Sequence, residues 1–318
     1  MSNSDITATH SKNAVGKRLA VFLVVTFALT WSVHIAAGTF FNAFEVGELA
    51  ASEIIVFIAI SMFFPLLGAL IANRIGGASA RIDLGFKPNL KGHVPSYLMA
   101  WFLPAILSLL GCVLFFVLNP SLFDPSLQGY IDSIKTMAQA TGTASLGNIP
   151  SPEELDQMRP VIIASVLIAS ITYAPFLNMF VAFGEEAGWR GFLFPTLKNV
   201  MSVRAAVIVS GVIWGIWHAP IIAMGHNYGM GYAGFPWTGM LVMILACTAL
   251  GAIACYLKEK TESIWSCSLI HGSVNATANL GVMFCVVGQT ILGPSPLALI
   301  AGVPTFIAGI ICLIKIDK

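Results

Sequence analysis

The chain has 318 residues, of which 57% are hydrophobic and only 10% are charged, against about 25% charged in an average soluble domain. This composition, with a mean hydropathy of +0.85, excludes an ordinary soluble domain and predicts a multi-pass membrane protein. The net charge of +1 gives no reason to expect a nucleic-acid partner. All six cysteines lie in apolar segments, without the spacing of a zinc cluster or a disulfide framework.

Eight apolar segments are long enough to cross a bilayer, which takes about 20 residues in a helix. They lack the alternation of apolar and polar residues that marks a membrane barrel, so we expect an all-α fold. Residues 1–18 are predicted to form a polar tail and residues 19–318 a single membrane domain. The predicted spans are roughly residues 19–38, 52–73, 97–118, 161–182, 203–223, 237–257, 264–287 and 295–314.

The distribution of lysine and arginine predicts how the chain is oriented. An even number of spans puts both termini on one side of the membrane, and 14 of the 16 basic residues fall on that side. Lys135 and Arg159 fall on the other side. Because cytoplasmic loops carry the excess of basic residues, we expect both termini to be cytoplasmic. In a prokaryote, the membrane would be the plasma membrane.

The longest predicted loop, residues 119–160, lies on the non-cytoplasmic side in this arrangement. Ser151, with Glu154 three residues later, is typical of a capped helix start. We therefore expect short helices within this loop, lying over the outer surface.

Three groups of polar residues interrupt the apolar segments, where ionisable side chains are costly and usually functional. His34, in the first span, and His226, in a loop, have no such companions and are interpreted as incidental. The three groups are Glu185 with Glu186 and Arg190 at the end of the fourth span, Trp214 with His218 in the fifth, and His271 with Asn275 in the seventh.

Spacing within the first group predicts two kinds of contact. Glu186 and Arg190 are four residues apart, so they can form an ion pair across one helical turn. Gly184 and Gly188 have the same spacing, which lets another helix approach closely.

The groups are also predicted to be able to meet. If helix continues from Glu185 to the turn near residue 200, antiparallel packing of the fourth and fifth spans puts Glu185 beside His218. His271 lies about 12 Å into the seventh span from the same side. This spacing permits a single site, although each polar group alone is also explained by contacts that tie helices together.

Together these residue types are those that peptide hydrolysis needs. A carboxylate with an imidazole can take a proton from water. An imidazole with an asparagine amide can donate hydrogen bonds to the oxyanion that forms. The three groups therefore favour a hydrolase with its site inside the membrane.

The pattern Glu-Glu-x-x-x-Arg, then aromatic-x-x-x-His, then His-x-x-x-Asn resembles that of the CPBP (Abi) intramembrane proteases. That family includes the type II CAAX prenyl endopeptidases and bacteriocin-processing or immunity proteins. The resemblance covers about residues 160–285, and the one departure is Trp214, where the family usually has phenylalanine. It implies an endopeptidase that cleaves a membrane-associated protein or peptide, in maturation or in bacteriocin processing or immunity.

The resemblance also implies which residues act. One pair would activate the attacking water, a second would form the oxyanion hole, and a third would support the first. These pairs are, in that order, Glu185 with His218, His271 with Asn275, and Glu186 with Arg190.

A cofactor is not expected if a glutamate activates the water, whereas a metal-dependent mechanism would use zinc. The expected partners are a membrane protein or peptide as substrate and the lipid bilayer. The zinc ligands, if the ion were used, would be Glu185, Glu186, His218 and His271.

Two other functions fit the same composition. A non-catalytic scaffold could bind a peptide or a sensor protein in the same cavity. A transporter with a Glu–His proton relay would instead need polar residues in several spans and an internal repeat, which the sequence does not show. The endopeptidase remains the preferred hypothesis, with the scaffold as its alternative.

Overall fold

The computed structural model describes residues 3–47, 53–75, 77, 81–132 and 152–317. Across those ranges the regular structure is helical, and the extended backbone amounts to one isolated antiparallel bridge between Phe123 and Cys285. The predicted all-α fold is confirmed. Residues 133–151, which include the predicted helix cap Ser151, lie outside the described ranges.

The helices are numbered in chain order. They are α1 (Asn3–Phe40), α2 (Ile54–Ser61), α3 (Phe64–Arg74), α4 (Val94–Leu118), α5 (Pro152–Ile171), α6 (Ala174–Glu186), α7 (Phe194–Lys198), α8 (Val203–Trp217), α9 (Trp237–Thr261), α10 (Ile264–Thr277) and α11 (Val303–Lys315). A π-helical segment, Ala187–Leu193, connects α6 to α7. Shorter helical turns are Ala43–Val46, Pro120–Leu122, Ala219–Ile222 and Val282–Phe284. Helix α1 begins at Asn3, within the predicted tail, and the division into a tail and a membrane domain stays a prediction.

Four stretches of described helix are long and apolar enough to cross a membrane, and a bent pair of helices could form a fifth. The protein is therefore a multi-pass membrane protein. The remaining predicted spans contain the shorter helices α8, α10 and α11, so the number of eight stays a prediction. The four stretches are Ala14–Phe40, Ile54–Arg74, Val94–Leu118 and Trp237–Thr261, and the bent pair is Gln157–Ile171 with Ala174–Lys198.

The bend between α5 and α6 is caused by a proline. Pro175, in the first turn of α6, has no N–H to donate to the carbonyl of Ile171, four residues earlier. That carbonyl instead accepts a hydrogen bond from Nε1 of Trp101 at 2.7 Å. The two helices are bent by 46°. The predicted fourth span therefore crosses a bend, and α6 carries the two glutamates.

Basic residues lie together at one end of the helix bundle, called here the basic end. Lys198, before α8, pairs with Glu259 near the end of α9 at 2.5 Å. Arg204, in the first turn of α8, pairs with Asp317 after α11 at 2.8 Å. The basic end is thus where α8 and α10 begin and where α9 and α11 finish.

The loop between α3 and α4 reaches the same end. The N–H of Ile264, at the start of α10, donates to the carbonyl of Gly85 in that loop at 2.9 Å. Arg18 of α1 donates to the side-chain oxygen of Asn73 at 2.8 Å, which ties α1 to the end of α3. Basic residues from several predicted cytoplasmic segments therefore share one end of the bundle, and the side of the membrane that this end faces stays a prediction.

Two glycines let α2 and α3 closely approach residues 184–190, called here the acidic segment. A Cβ on Gly184 would lie 2.6 Å from the carbonyl oxygen of Met62, and a Cβ on Gly188 would lie 2.4 Å from Cβ of Pro65. Real Cβ atoms do not come so near their neighbours, so only glycine permits this packing. The close approach predicted from the four-residue spacing is confirmed.

Candidate active site

The polar groups singled out in the sequence surround one cavity of about 460 Å³. Glu185, His218, His271 and Asn275 all line it. They come from α6, the end of α8 and α10, which the fold brings together. The single site that the sequence permitted is therefore present as a geometric arrangement.

The acidic pair lies where the helix widens. Glu185 and Glu186 are the last two residues of α6, and all seven residues of the following π-helical segment are buried. In a π-helix, each N–H group bonds to the carbonyl five residues earlier. Such segments are rare in proteins, and those that occur are often found at functional sites. The sequence predicted ordinary helix here and missed this change.

Glu185 is held by two tryptophans. Its Oε2 accepts a hydrogen bond from Nε1 of Trp214 at 2.7 Å and another from Nε1 of Trp189 at 3.1 Å. The side chain is only 2% exposed, yet it lines the cavity. Trp214, the one departure from the usual motif, thus has a specific use, because phenylalanine has no N–H to donate.

Glu186 links two other members of the site. Its Oε1 lies 3.0 Å from Nη1 of Arg190 and 2.9 Å from Nδ1 of His271. The predicted ion pair with Arg190 is confirmed, and the guanidinium also lies 4.2 Å above the ring of Trp214. The resemblance implied that Glu186 and Arg190 support Glu185 and His218, and in the structure the side-chain partners of Glu186 are Arg190 and His271.

His218 lies at the break between α8 and the turn Ala219–Ile222. Its Nδ1 lies 2.9 Å from the carbonyl oxygen of Trp214. A carbonyl can only accept, so Nδ1 carries the hydrogen, and in the neutral ring Nε2 is left as the acceptor. His218 is therefore set up to take a proton at Nε2.

Asn275 lies one turn after His271 on α10 and is exposed to the cavity. Within the described residues, its side chain makes no hydrogen bond to protein. Both its amide donor and its carbonyl acceptor are therefore open to a molecule in the cavity.

Helix α1 holds the turn that presents His218, which the sequence did not predict. Nε1 of Trp217 donates to the hydroxyl of Thr30 at 2.8 Å, and Nε1 of Trp31 donates to the carbonyl of Trp217 at 3.1 Å. The ring of His34 lies 6.1 Å from that of Trp217. One face of α1 carries Thr30, Trp31 and His34. This spacing of polar side chains was the sequence signal that could have indicated a contact with another helix.

The two histidines interpreted as incidental are both close to the site. His34 is fully buried, and its Nε2 lies 2.7 Å from the hydroxyl of Ser61. His226 lines the cavity itself. A lone histidine in a loop gives no sequence signal of this kind, because its proximity depends on how α8 and α9 are connected.

The four residues considered as zinc ligands are divided between different partners. Glu185 binds two indole N–H groups, whereas Glu186 binds Arg190 and His271. Within the described residues, no three histidine, cysteine or acidic side chains are grouped to hold a metal ion. The use of zinc stays a prediction.

Comparison with known proteins shows what the region of this site is similar to. Residues 162–277 match the family model described as Type II CAAX prenyl endopeptidase Rce1-like. The predicted resemblance is confirmed. This Rce1-like region contains all seven motif positions and runs from within α5 to the end of α10. Helix α1, with its contacts to Trp217, lies outside the matched residues.

A curated relative is similar over part of its length. The protein named "CAAX prenyl protease 2" of Methanococcus maripaludis is 31% identical over 133 residues, which is 37% of this chain and 48% of the relative. The match thus spans about half the length of that relative.

Proposed function

We propose that this protein is an intramembrane endopeptidase that uses a glutamate-activated water. The observation that carries the proposal is the position of Glu185, His218, His271 and Asn275 around one cavity within the Rce1-like region. Each is a residue type that peptide hydrolysis uses as base or oxyanion donor.

In the proposed mechanism, water binds between Glu185 and His218. These two groups take the proton of the water as its oxygen attacks the carbonyl carbon of the peptide bond. Glu185 is positioned by the two indole N–H groups, and His218 by its bond to the carbonyl of Trp214. Collapse of the tetrahedral intermediate breaks the C–N bond, and the proton passes to the leaving nitrogen to give an amine and a carboxylic acid.

The oxyanion is proposed to lie between His271 and Asn275. The amide of Asn275 has a free donor, and His271 in its imidazolium form donates from both ring nitrogens. Nδ1 then keeps its bond to Glu186 while Nε2 faces the intermediate. Glu186 and Arg190 thus support the oxyanion side of the site.

The substrate is proposed to be a membrane-associated protein or peptide. A cavity flanked by apolar membrane helices favours a segment that is already in the bilayer. The curated relative is named for CAAX prenyl processing, and such proteins are one candidate class. In a prokaryote, peptide maturation or bacteriocin processing or immunity is the preferred role.

A comparison of membrane peptides tests the proposal. Cells carrying the wild-type chain and cells carrying Glu185→Gln are compared at matched expression. Glutamine keeps a carbonyl oxygen as acceptor for both indoles, so we expect a folded but inactive protein. Peptide termini present only with the wild type would identify the substrates. Identical peptides would contradict the protease and favour the scaffold.

A further inference from the structure

The connection between α3 and α4 lies at one surface of the bilayer. It follows the stretch Ile54–Arg74 and precedes Val94–Leu118, and both stretches are long and apolar enough to cross a membrane. Backbone without helical hydrogen bonds is not stable in the hydrocarbon region, so the residues that join two such stretches lie at the membrane surface. The part of this connection next to α4, residues 81–93, is called here the surface loop.

The surface loop is fixed by contacts with three helices. Nδ2 of Asn89 donates to the carbonyl of Thr261, the last residue of α9, at 3.1 Å. Nε1 of Trp265 in α10 donates to the carbonyl of Phe86 at 2.8 Å. The ring of Phe86 lies 5.5 Å from that of Phe183 in α6. The loop therefore presents its remaining side chains from a defined position at the membrane surface.

Apolar and basic side chains occur in neighbouring pairs along the surface loop. Phe86 is followed by Lys87, and four residues later Leu90 is followed by Lys91. All four side chains are exposed, Phe86 by 42% and Leu90 by 54%. An apolar side chain beside a lysine fits the boundary of the bilayer, because the first can enter the acyl region while the ammonium group stays among the headgroups.

The lysines of the surface loop differ from other cations at the basic end. Lys198 and Arg204 are each in an ion pair. Within the described residues, Lys87 and Lys91 form no ion pair. Asp83, the acidic residue of the loop, accepts a hydrogen bond from a backbone N–H two residues later at 2.8 Å. The surface loop thus carries positive charge that the described protein does not neutralise.

We propose that the surface loop binds a phospholipid with a net negative headgroup. Lys87 and Lys91 contact the headgroup, and Phe86 and Leu90 contact its acyl chains. Cations near an anionic membrane surface are attracted to it, and apolar side chains beside them add hydrophobic burial. The inference goes beyond the proposed function and does not require peptidase activity.

Lipid binding in detergent micelles tests the two lysines. The purified chain in dodecyl maltoside is titrated with phosphatidylglycerol that carries a fluorophore on one acyl chain, and separately with phosphatidylcholine labelled in the same way. Fluorescence anisotropy gives the Kd of each lipid. We expect the Kd of phosphatidylglycerol to be lower by about tenfold or more, since each lysine contributes about fivefold. In Lys87→Gln with Lys91→Gln, the two Kd values should agree within about twofold.

Two further variants separate the loop from a general effect of charge. Lys260→Gln with Lys315→Gln also removes two exposed cations from the basic end, but outside the surface loop, and should keep the preference. Lys87→Arg with Lys91→Arg retains both charges and should keep it too. An equal loss in both glutamine variants would overturn the loop as the binding surface. Equal binding of the two lipids to the wild type would overturn the proposal as a whole.

Leu90→Ser tests the apolar side of the surface loop. It should raise the Kd of both lipids by a similar factor, about threefold to tenfold, because the acyl chains are common to both. Unchanged Kd values would overturn the contact with the acyl chains. A chain that binds phosphatidylglycerol through the two lysines and cleaves nothing would support this inference while contradicting the protease.

Discussion

Glu186 and His271 are 85 residues apart in the chain, and their side chains meet at 2.9 Å between Oε1 and Nδ1. This contact joins α6 to α10 inside the membrane region, and Arg190 completes it at 3.0 Å from the same oxygen. The adjacent Glu185 has different partners, the indoles of Trp189 and Trp214. The two neighbouring carboxylates thus bind different partners, because they face different helices.

Arg190→Ala should destabilise the protein strongly. It leaves Glu186 buried without its cation, and breaking a buried pair costs about 3–5 kcal/mol. The control is Arg204→Ala, because the pair with Asp317 is exposed and such pairs contribute about 0–1 kcal/mol. Unfolding in detergent, followed by circular dichroism, measures both variants. Equal stabilities would show that the Glu186–Arg190 pair contributes little.

Trp214→Phe should lower kcat/KM by about tenfold to hundredfold while the protein stays folded. The change keeps an aromatic ring but removes the 2.7 Å hydrogen bond to Glu185, and bonds to charged groups contribute about 1.5–3 kcal/mol. Trp189→Phe removes the longer of the two bonds and should cost less activity. If the double variant were as active as the wild type, the indoles would have no part in positioning Glu185.

His271→Ala and Asn275→Ala should each lower the rate by about 10²–10³, the effect of losing an oxyanion donor. Their effects on stability should differ. His271 is buried against Glu186, so its loss also weakens folding, whereas Asn275 is exposed to the cavity and its loss should not. Single-turnover rates and unfolding midpoints on the same preparations separate these effects. A normal rate in Asn275→Ala would remove it from the oxyanion site.

Thr30→Val should impair activity through the turn that carries His218. The substitution leaves Nε1 of Trp217 buried without its 2.8 Å acceptor, at a cost of about 1–3 kcal/mol. Thr26→Val, one turn earlier on α1, is the matched control, because the Thr26 hydroxyl is equally buried and has no partner within the described residues. We expect kcat to fall in the first variant only, with a shift in its pH profile if His218 has moved.

Gly188→Ala should prevent normal packing of α3 against the acidic segment. The new Cβ would lie 2.4 Å from Cβ of Pro65 and 2.8 Å from the backbone of that residue, so the helices must separate. Gly16→Ala in α1 is the control, since its Cβ would meet nothing within 4 Å and alanine favours helix by up to about 1 kcal/mol. Expression level and unfolding midpoint should fall only for Gly188→Ala. Two equally stable variants would mean that α3 is free to move.

The sequence predicted which polar residues share a cavity better than it predicted the contacts that hold them there. Polar residues are rare in apolar segments and therefore easy to find, and the predicted four-residue pair Glu186–Arg190 is present in the structure. The contact between Glu186 and His271 could not be predicted in the same way. It depends on the crossing of α6 and α10, and spacing along one helix says nothing about which neighbour a side chain meets.

The fold, like the site, was predicted from the sequence only in part. Apolar length predicted a helical membrane protein, but the bend before α6 depends on one proline and on the indole of Trp101 from another helix. The role of α1 was missed because the spacing of Thr30 and His34 puts them on one face of α1 but does not tell which helix packs against that face. Their importance follows from packing against Trp217, which only the assembled helices reveal.

The π-helical segment after Glu186 makes this site unusually able to absorb a change in chain length. In an α-helix, deleting one residue rotates everything beyond it by about 100°. A π-helical turn already contains an extra residue, so a deletion within Ala187–Leu193 can be taken up by a return to α-helix. Helix α7, which follows this segment, would keep its orientation toward α8. The relative position of the Glu186 and Arg190 side chains would change. A change of length within this π-helical segment would therefore alter the geometry of the site before it destabilised the fold.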